Sequence, residues 1–205
     1  SVLSLVVPGP GVLSFSWKAS SAAGSDVLAF AINGAVQQTI SGVSDDWDVV
    51  EMPITGIGDQ VLTWTYSRGH VAPAGQNCGW VDLVSYRKYY DVKFTGASRV
   101  YDGTTDAGRT GDLVGQGQVA GHEVGVTDAN GAYAFATPHQ GQRKPVTLTG
   151  AELTGADADL YLLRIATGQA DVWPKAITVG FTADDKVYDG DTATTATGFT
   201  FGNQL

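Results

Sequence analysis

Ser98-Arg-Val-Tyr-Asp-Gly-Thr-Thr-Asp106 (SRVYDGTTD) returns as Asp185-Lys-Val-Tyr-Asp-Gly-Asp-Thr-Ala193 (DKVYDGDTA), 87 residues further along a chain of 205. At the same offset Val92 matches Val179, Phe94 matches Phe181, Thr95 matches Thr182, Arg99 matches Lys186 and Val100 matches Val187. So many in-phase matches exclude coincidence for the tripeptide Tyr101-Asp102-Gly103 and its echo Tyr188-Asp189-Gly190. Short solenoid repeats recur at about 20–50 residues, so the longer period implies whole domains in series. The block itself is turn chemistry: Asp bonds backbone downstream of itself, Gly accepts positive φ, and Tyr packs its ring while its hydroxyl reaches water or a carbonyl. We expect a structural corner, with too little chain after the second copy for a complete unit.

Upstream of the corner, apolar residues alternate with period 2, the signature of half-buried strands. In VLSFSWK, Leu13, Phe15 and Trp17 share one face and Ser14, Ser16 and Lys18 the other. Leu28, Phe30 and Ile32 precede Asn33-Gly34, a dipeptide suited to a type I′ hairpin, and a strand returns from Ala35 to about Ile40. DVVEMPIT, QVLTWTYS (Leu62, Trp64 and Tyr66 in phase) and GWVDLVSY complete about six strands, with no helical stripe. Downstream, GDLVGQGQVAGHEVGV, NGAYAFAT, KPVTLTGAELTGADADLYLL and GQADVWPKAITV read as short strands punctuated by Asn-Gly, Gly-Ala and Pro.

Composition agrees with an all-β protein of two domains or so: 43% hydrophobic, only 16% charged, and 27 glycines. The net charge of −9 repels phosphate backbones and anionic lipid surfaces, which argues against a nucleic-acid partner. The acid excess is spread over both halves, so there is no charged tail. Cys78 is the sole cysteine, which excludes an internal disulfide and any multi-thiolate metal site. No stretch approaches the roughly 20 apolar residues of a membrane span, and the first residues do not read as an export signal.

Two resemblances follow from these motifs. GPGVLSFSWKASS, SDVLAFAING, ISGVSDDWDVVEMPI, GDQVLTWTYSRG and GWVDLVSY, over residues 2–88, resemble the jelly-roll β-sandwich of concanavalin-like and MAM-like modules in secreted and surface bacterial proteins. The chain departs from that pattern at SRGH (Ser67 to His70) and lacks the usual N-terminal strands. VYDGTT at 100–105, VTLTG at 146–150, GADADLY at 155–161 and VWPKAITV at 172–179 resemble the YDG repeat of large bacterial exoproteins and haemagglutinin-like adhesins. The implied organisation is a jelly-roll-like β-sandwich over 1–90, a small β-rich YDG-type domain over 91–176, and the opening strands of a second YDG repeat over 177–205.

No catalytic constellation is legible. His70, His122 and His139 lie in unrelated loops without the local spacing of a zinc site. There is no G-x-S-x-G elbow, Cys78 lacks a neighbouring base, and GQGQVAG lacks the strand-loop-helix setting of a dinucleotide site. Glu51, Glu123 and Glu152 are dispersed, which gives no support to a glycosidase pair. Asp45, Asp46 and Asp48 around Trp47, and Asp184, Asp185, Asp189 and Asp191 around the second block, are the candidate calcium ligands, although solvated Asp turns explain both clusters better. No other cofactor is expected. Trp17 and Trp64 read as core, and Trp47 and Trp80, beside turns, are the candidates for stacking on a sugar. The expectation is a non-enzymatic segment of an extracellular or surface adhesin, acting as an adhesion or spacer module. A lectin-like first domain and an accessory module of a secreted hydrolase are the alternatives. Its partners would be a host or environmental surface or a glycan, with self-association through incomplete end modules and no membrane insertion.

Overall fold

The computed structural model describes residues 1–204. Strands succeed one another in the order β1 (Val2–Ser20), β2 (Val27–Ile32), β3 (Ala35–Ile40), β4 (Asp48–Ser67), β5 (Cys78–Gly96), β6 (Arg99–Val100), β7 (Arg109–Gln116), β8 (Gly125–Thr127), β9 (Ala132–Phe135), β10 (Gly141–Thr149), β11 (Glu152–Thr154), β12 (Tyr161–Ile165), β13 (Gly168–Trp173), β14 (Thr178–Ala183) and β15 (Ala196–Gly202). The only helical piece among the described residues is one 3-10 turn, Ala158–Leu160, so the fold is all-β.

The chain divides into two compact units. The first gathers Ser1–Val92, Gly115–Thr127 and Glu152–Ile165. Its sheet runs β12-β5-β1-β4-β2-β3, with β7 also paired to β5. β1 and β4 pair in two antiparallel runs, Val2 to Gly9 against Thr65 to Gly58 and Gly11 to Trp17 against Ile54 to Asp48, with an irregularity between Gly9 and Gly11. β5 flanks only the second run of β1, and β2 flanks only the far run of β4. Leu13, Phe15, Trp17, Val50 and Ile54 from one half share a core with Val7, Leu28, Phe30, Leu62 and Trp64 from the other. The sheet therefore folds over on itself into two layers. Phe15 lies at the centre, with ring centroids 5.4 Å from Trp17, 5.1 Å from Phe30 and 5.2 Å from Trp64.

The fold-over explains why this region has five strands and not six. DVVEMPIT and QVLTWTYS are one bent strand that pairs with β1 on both sides of the bend, the register shifting there from Gly9 opposite Gly58 to Gly11 opposite Ile54. Buried Gln60 serves the backbone at the bend, its Nε2 donating to the carbonyls of Ile57 (3.1 Å), Gly58 (3.2 Å) and Asp59 (3.1 Å). Asn33 Nδ2 donates to Gln60 Oε1 at 2.8 Å, and Asn33 Oδ1 accepts the Val61 N–H at 2.8 Å. Asn33 and Gly34 both have positive φ (49° and 81°), as the hairpin reading requires.

The second unit comprises Lys93–Val114, Asp128–Ala151 and the residues from Ala166 onward. A four-stranded sheet, β6-β13-β10-β9, carries its core on alternating positions: Phe135, Val146, Ala170 and Val172, with Phe94, Tyr101, Ala107 and Tyr133 packed around them. β14 and β15 form a separate antiparallel pair. The first change of unit falls between Val92 and Lys93, and two later segments return to the first unit. Gly115–Thr127 and Glu152–Ile165 pack with the N-terminal residues because β12 adds in parallel to β5, Tyr161 opposite Lys88 through Ile165 opposite Val92.

Candidate functional site

The repeated corner is built from its own residues. The Asp102 carboxylate accepts the Thr104 N–H and hydroxyl, both at 2.9 Å, and pairs with the Arg99 guanidinium. Arg99 Nη2 also donates to the Thr104 carbonyl at 2.6 Å, and Gly103 takes φ 84°. Tyr101 donates its N–H to the Trp173 carbonyl at 2.8 Å and leans its ring on the core of the second unit. The echo repeats this geometry. Lys186 Nζ donates to Asp189 Oδ1 at 2.8 Å, the same oxygen accepts the Asp191 N–H at 3.0 Å, and Gly190 takes φ 80°. What differs is the tyrosine: Tyr188 is 92% exposed. The turn is thus local chemistry, and the ring is covered only where a sheet lies next to it. Sequence reading overlooked the basic residue three positions before the Asp, although the Arg99–Lys186 match at the 87-residue offset was the available signal.

A second polar knot was not legible at all. Asp128 accepts from Arg109 Nε at 2.8 Å and from the Tyr133 hydroxyl, while the Tyr133 ring stands edge-on to Phe94 at 5.3 Å. Hydrogen bonds from Arg109 and then Tyr133 hold the Asp128 carboxyl down to about 2. Arg99, followed by the Thr104 N–H, holds Asp102 down to about 2 as well. A carboxyl whose folded value lies below its unfolded value of about 3.9 stabilises the fold above that pH and loses the contribution as the pH falls. The thermal midpoint of the second unit is therefore expected to hold steady from pH 7 to 5 and to fall between about pH 4 and 2. In Asp128→Asn it should start lower and fall less steeply. An acid limb equally steep in that variant, followed by calorimetry, would contradict the assignment.

The remaining sequence candidates fall in various places. Trp47 and Trp80 are brought together by Lys18, which points away from the core beside inward-facing Trp17: its Nζ lies 4.9 Å from the Trp47 ring centre and 5.3 Å from that of Trp80. Trp80 is opposite Lys18 in the β1–β5 ladder, and Trp47 is 40% exposed. Each ring thus has a cation against it. Asp45, Asp46 and Asp48 are exposed, with Ser44 Oγ donating to the Asp46 carbonyl at 3.0 Å. Among the described residues no three His, Cys, Asp or Glu side chains converge as metal ligands. His70 and His139 are exposed. His122 Nδ1 lies 2.9 Å from the hydroxyl of buried Tyr161, which also accepts the Val119 N–H at 2.9 Å. An open recess beside Tyr101 is lined by His139, Gln140, Pro174 and Lys175, with no carboxylate to partner the histidine.

Residues 87–170 match the YDG domain family, so the corner at Tyr101-Asp102-Gly103 and the sheet of the second unit belong largely to a YDG domain. That match spans less than half of the chain. No curated protein and no solved structure matches it.

Proposed function

We propose that this chain is a non-catalytic segment of a bacterial cell-surface or secreted adhesin-like protein, in which the YDG domain and its echo act as spacer modules beside a jelly-roll-like first module. The observation that carries this reading is that the motif residues are consumed by architecture. Asp102 and Asp189 each spend their carboxylate on a basic residue and the backbone of their own turn, and Asp128 spends its carboxylate on Arg109 and Tyr133. Pro174 in the WPKAITV stretch supports a stiff joint, since proline fixes φ and removes a donor. An extracellular setting and a host or environmental surface as partner fit this role. The net charge of −9 disfavours a phosphate-bearing one.

A second reading rests on one observation, the convergence of Trp47 and Trp80 on Lys18, which could offer an aromatic platform to a sugar. The nearby Asp46 and Asp48 would exclude acidic sugars, and Lys18 already occupies a face of each ring. A glycan array probed with the whole chain, with calorimetry in calcium and in chelator, separates the two readings. The spacer role predicts silence in both buffers. Binding that is abolished in Trp47→Ala would replace it with the lectin reading.

A further inference from the structure

Asn33 and Asn130 each precede a glycine, where no side chain shields the following amide nitrogen, whereas Asn77 and Asn203 precede Cys78 and Gln204. Such a nitrogen can attack the asparagine's own amide carbon. The new N–C bond closes a five-membered imide, ammonia leaves with the nitrogen's proton, and water reopens the ring to aspartate or isoaspartate. The fold treats the two sites differently.

The Asn33 amide is pinned at both ends. Its Nδ2 donates to Gln60 Oε1 and its Oδ1 accepts the Val61 N–H, each at 2.8 Å, and its backbone N–H donates to the Val61 carbonyl at 2.7 Å. Tied to β4 in this way, the side chain is not free to swing onto the Gly34 nitrogen. Asn130 is exposed, in the turn Asp128-Ala129-Asn130-Gly131 between β8 and β9, and its side chain has no hydrogen-bond partner among the described residues. The Gly131 N–H closes that turn on the Asp128 carbonyl at 2.7 Å. Local opening of the turn is enough to release the attacking nitrogen.

The turn also lies where its product would be felt. Two residues before Asn130, the Asp128 carboxylate is fixed by Arg109 Nε at 2.8 Å and by the Tyr133 hydroxyl. Two residues after it, Ala132 is fixed opposite Thr149 in the β9–β10 ladder. Isoaspartate inserts one more carbon into the backbone between these anchors, and either product sets a second carboxylate beside Asp128. We infer that Asn130 is a site of spontaneous deamidation, and that its isoaspartyl product loosens the Arg109–Asp128–Tyr133 knot.

The test is to age the whole chain at body temperature and mildly alkaline pH, folded and in strong urea, and to map its peptides by mass. In the folded chain the amide-to-acid mass gain should appear at Asn130 on the order of 100-fold sooner than at Asn33, because holding reacting groups out of line costs about that much. In urea the difference should vanish. Equal rates in the folded chain overturn the inference. So does a folded chain that keeps both amides while the unfolded chain loses both. Calorimetry of the aged chain should show the second unit melting lower by on the order of 5 °C. Asn130→Gln, aged alongside, should melt as it did when fresh. An unchanged midpoint in the aged parent, or an equal fall in the variant, would remove the link to the knot.

Discussion

Phe15→Ala is expected to cost about 3–5 kcal/mol, enough to unfold most of the first unit at moderate urea. Phe15 is fully buried and touches three aromatic rings drawn from both halves of the folded-over sheet. Removing it opens a cavity at the one place where the two layers interlock, and the surrounding bulk of Trp17, Phe30 and Trp64 cannot collapse into that space without breaking strand register. Tryptophan fluorescence in urea reads the effect directly, since Trp17, Trp47, Trp64 and Trp80 all lie in this unit. Trp64→Phe serves as the contrast. It keeps a ring in place and removes a buried indole N–H that has no acceptor, so lost volume and relieved desolvation oppose one another. An alanine variant as mild as the phenylalanine one would mean that the core does not close through Phe15.

Gly96→Val is expected to destabilise the second unit by about 1–3 kcal/mol, towards the upper end of the overpacking range. A Cβ at this position would stand 2.9 Å from Ala170 Cβ and 2.9 Å from Val146 Cγ2, with the Gln169 carbonyl oxygen at 3.0 Å. Val146 and Ala170 are core residues, and the third wall is backbone, so no flexible chain end is available to move aside. The echo supplies the control. Ala183 occupies the equivalent position 87 residues on, is exposed, and already carries a Cβ. Ala183→Val should change stability by no more than about 0.5 kcal/mol. Scanning calorimetry of the two variants decides the matter. Equal effects would remove the steric argument.

Much of this architecture was legible before any coordinates. The alternation of Leu13, Phe15 and Trp17, and of Leu62 and Trp64, gave the buried faces because a strand admits only two sides, and the Asn33-Gly34 pair gave the hairpin because few dipeptides tolerate two positive φ values. The Asp102 turn was readable for the same local reason. The fold-over of β1 and β4 was not, because the ladder shifts at the bend by an even number of residues, which leaves no break in the alternation. The addition of β12 to β5 was invisible too: nothing in YLLRI names a partner more than seventy positions upstream. The Arg109–Asp128–Tyr133 knot and the Lys18 bridge between Trp47 and Trp80 are tertiary events between residues that are unremarkable in their own neighbourhoods.

The parallel β12–β5 pairing also governs timing. Arg164 grips Asp91 through two hydrogen bonds of 2.6 and 2.8 Å and lies over the Tyr89 ring at 4.1 Å, across a sequence separation of 73. A ribosome or translocation pore that delivers the chain from its N-terminus releases β5 long before its parallel neighbour, so the N-terminal sheet waits with one border open while some seventy residues emerge. Closing so long a loop is entropically slow. The last event in maturation of the leading unit is therefore the arrival of a strand encoded well inside the following domain.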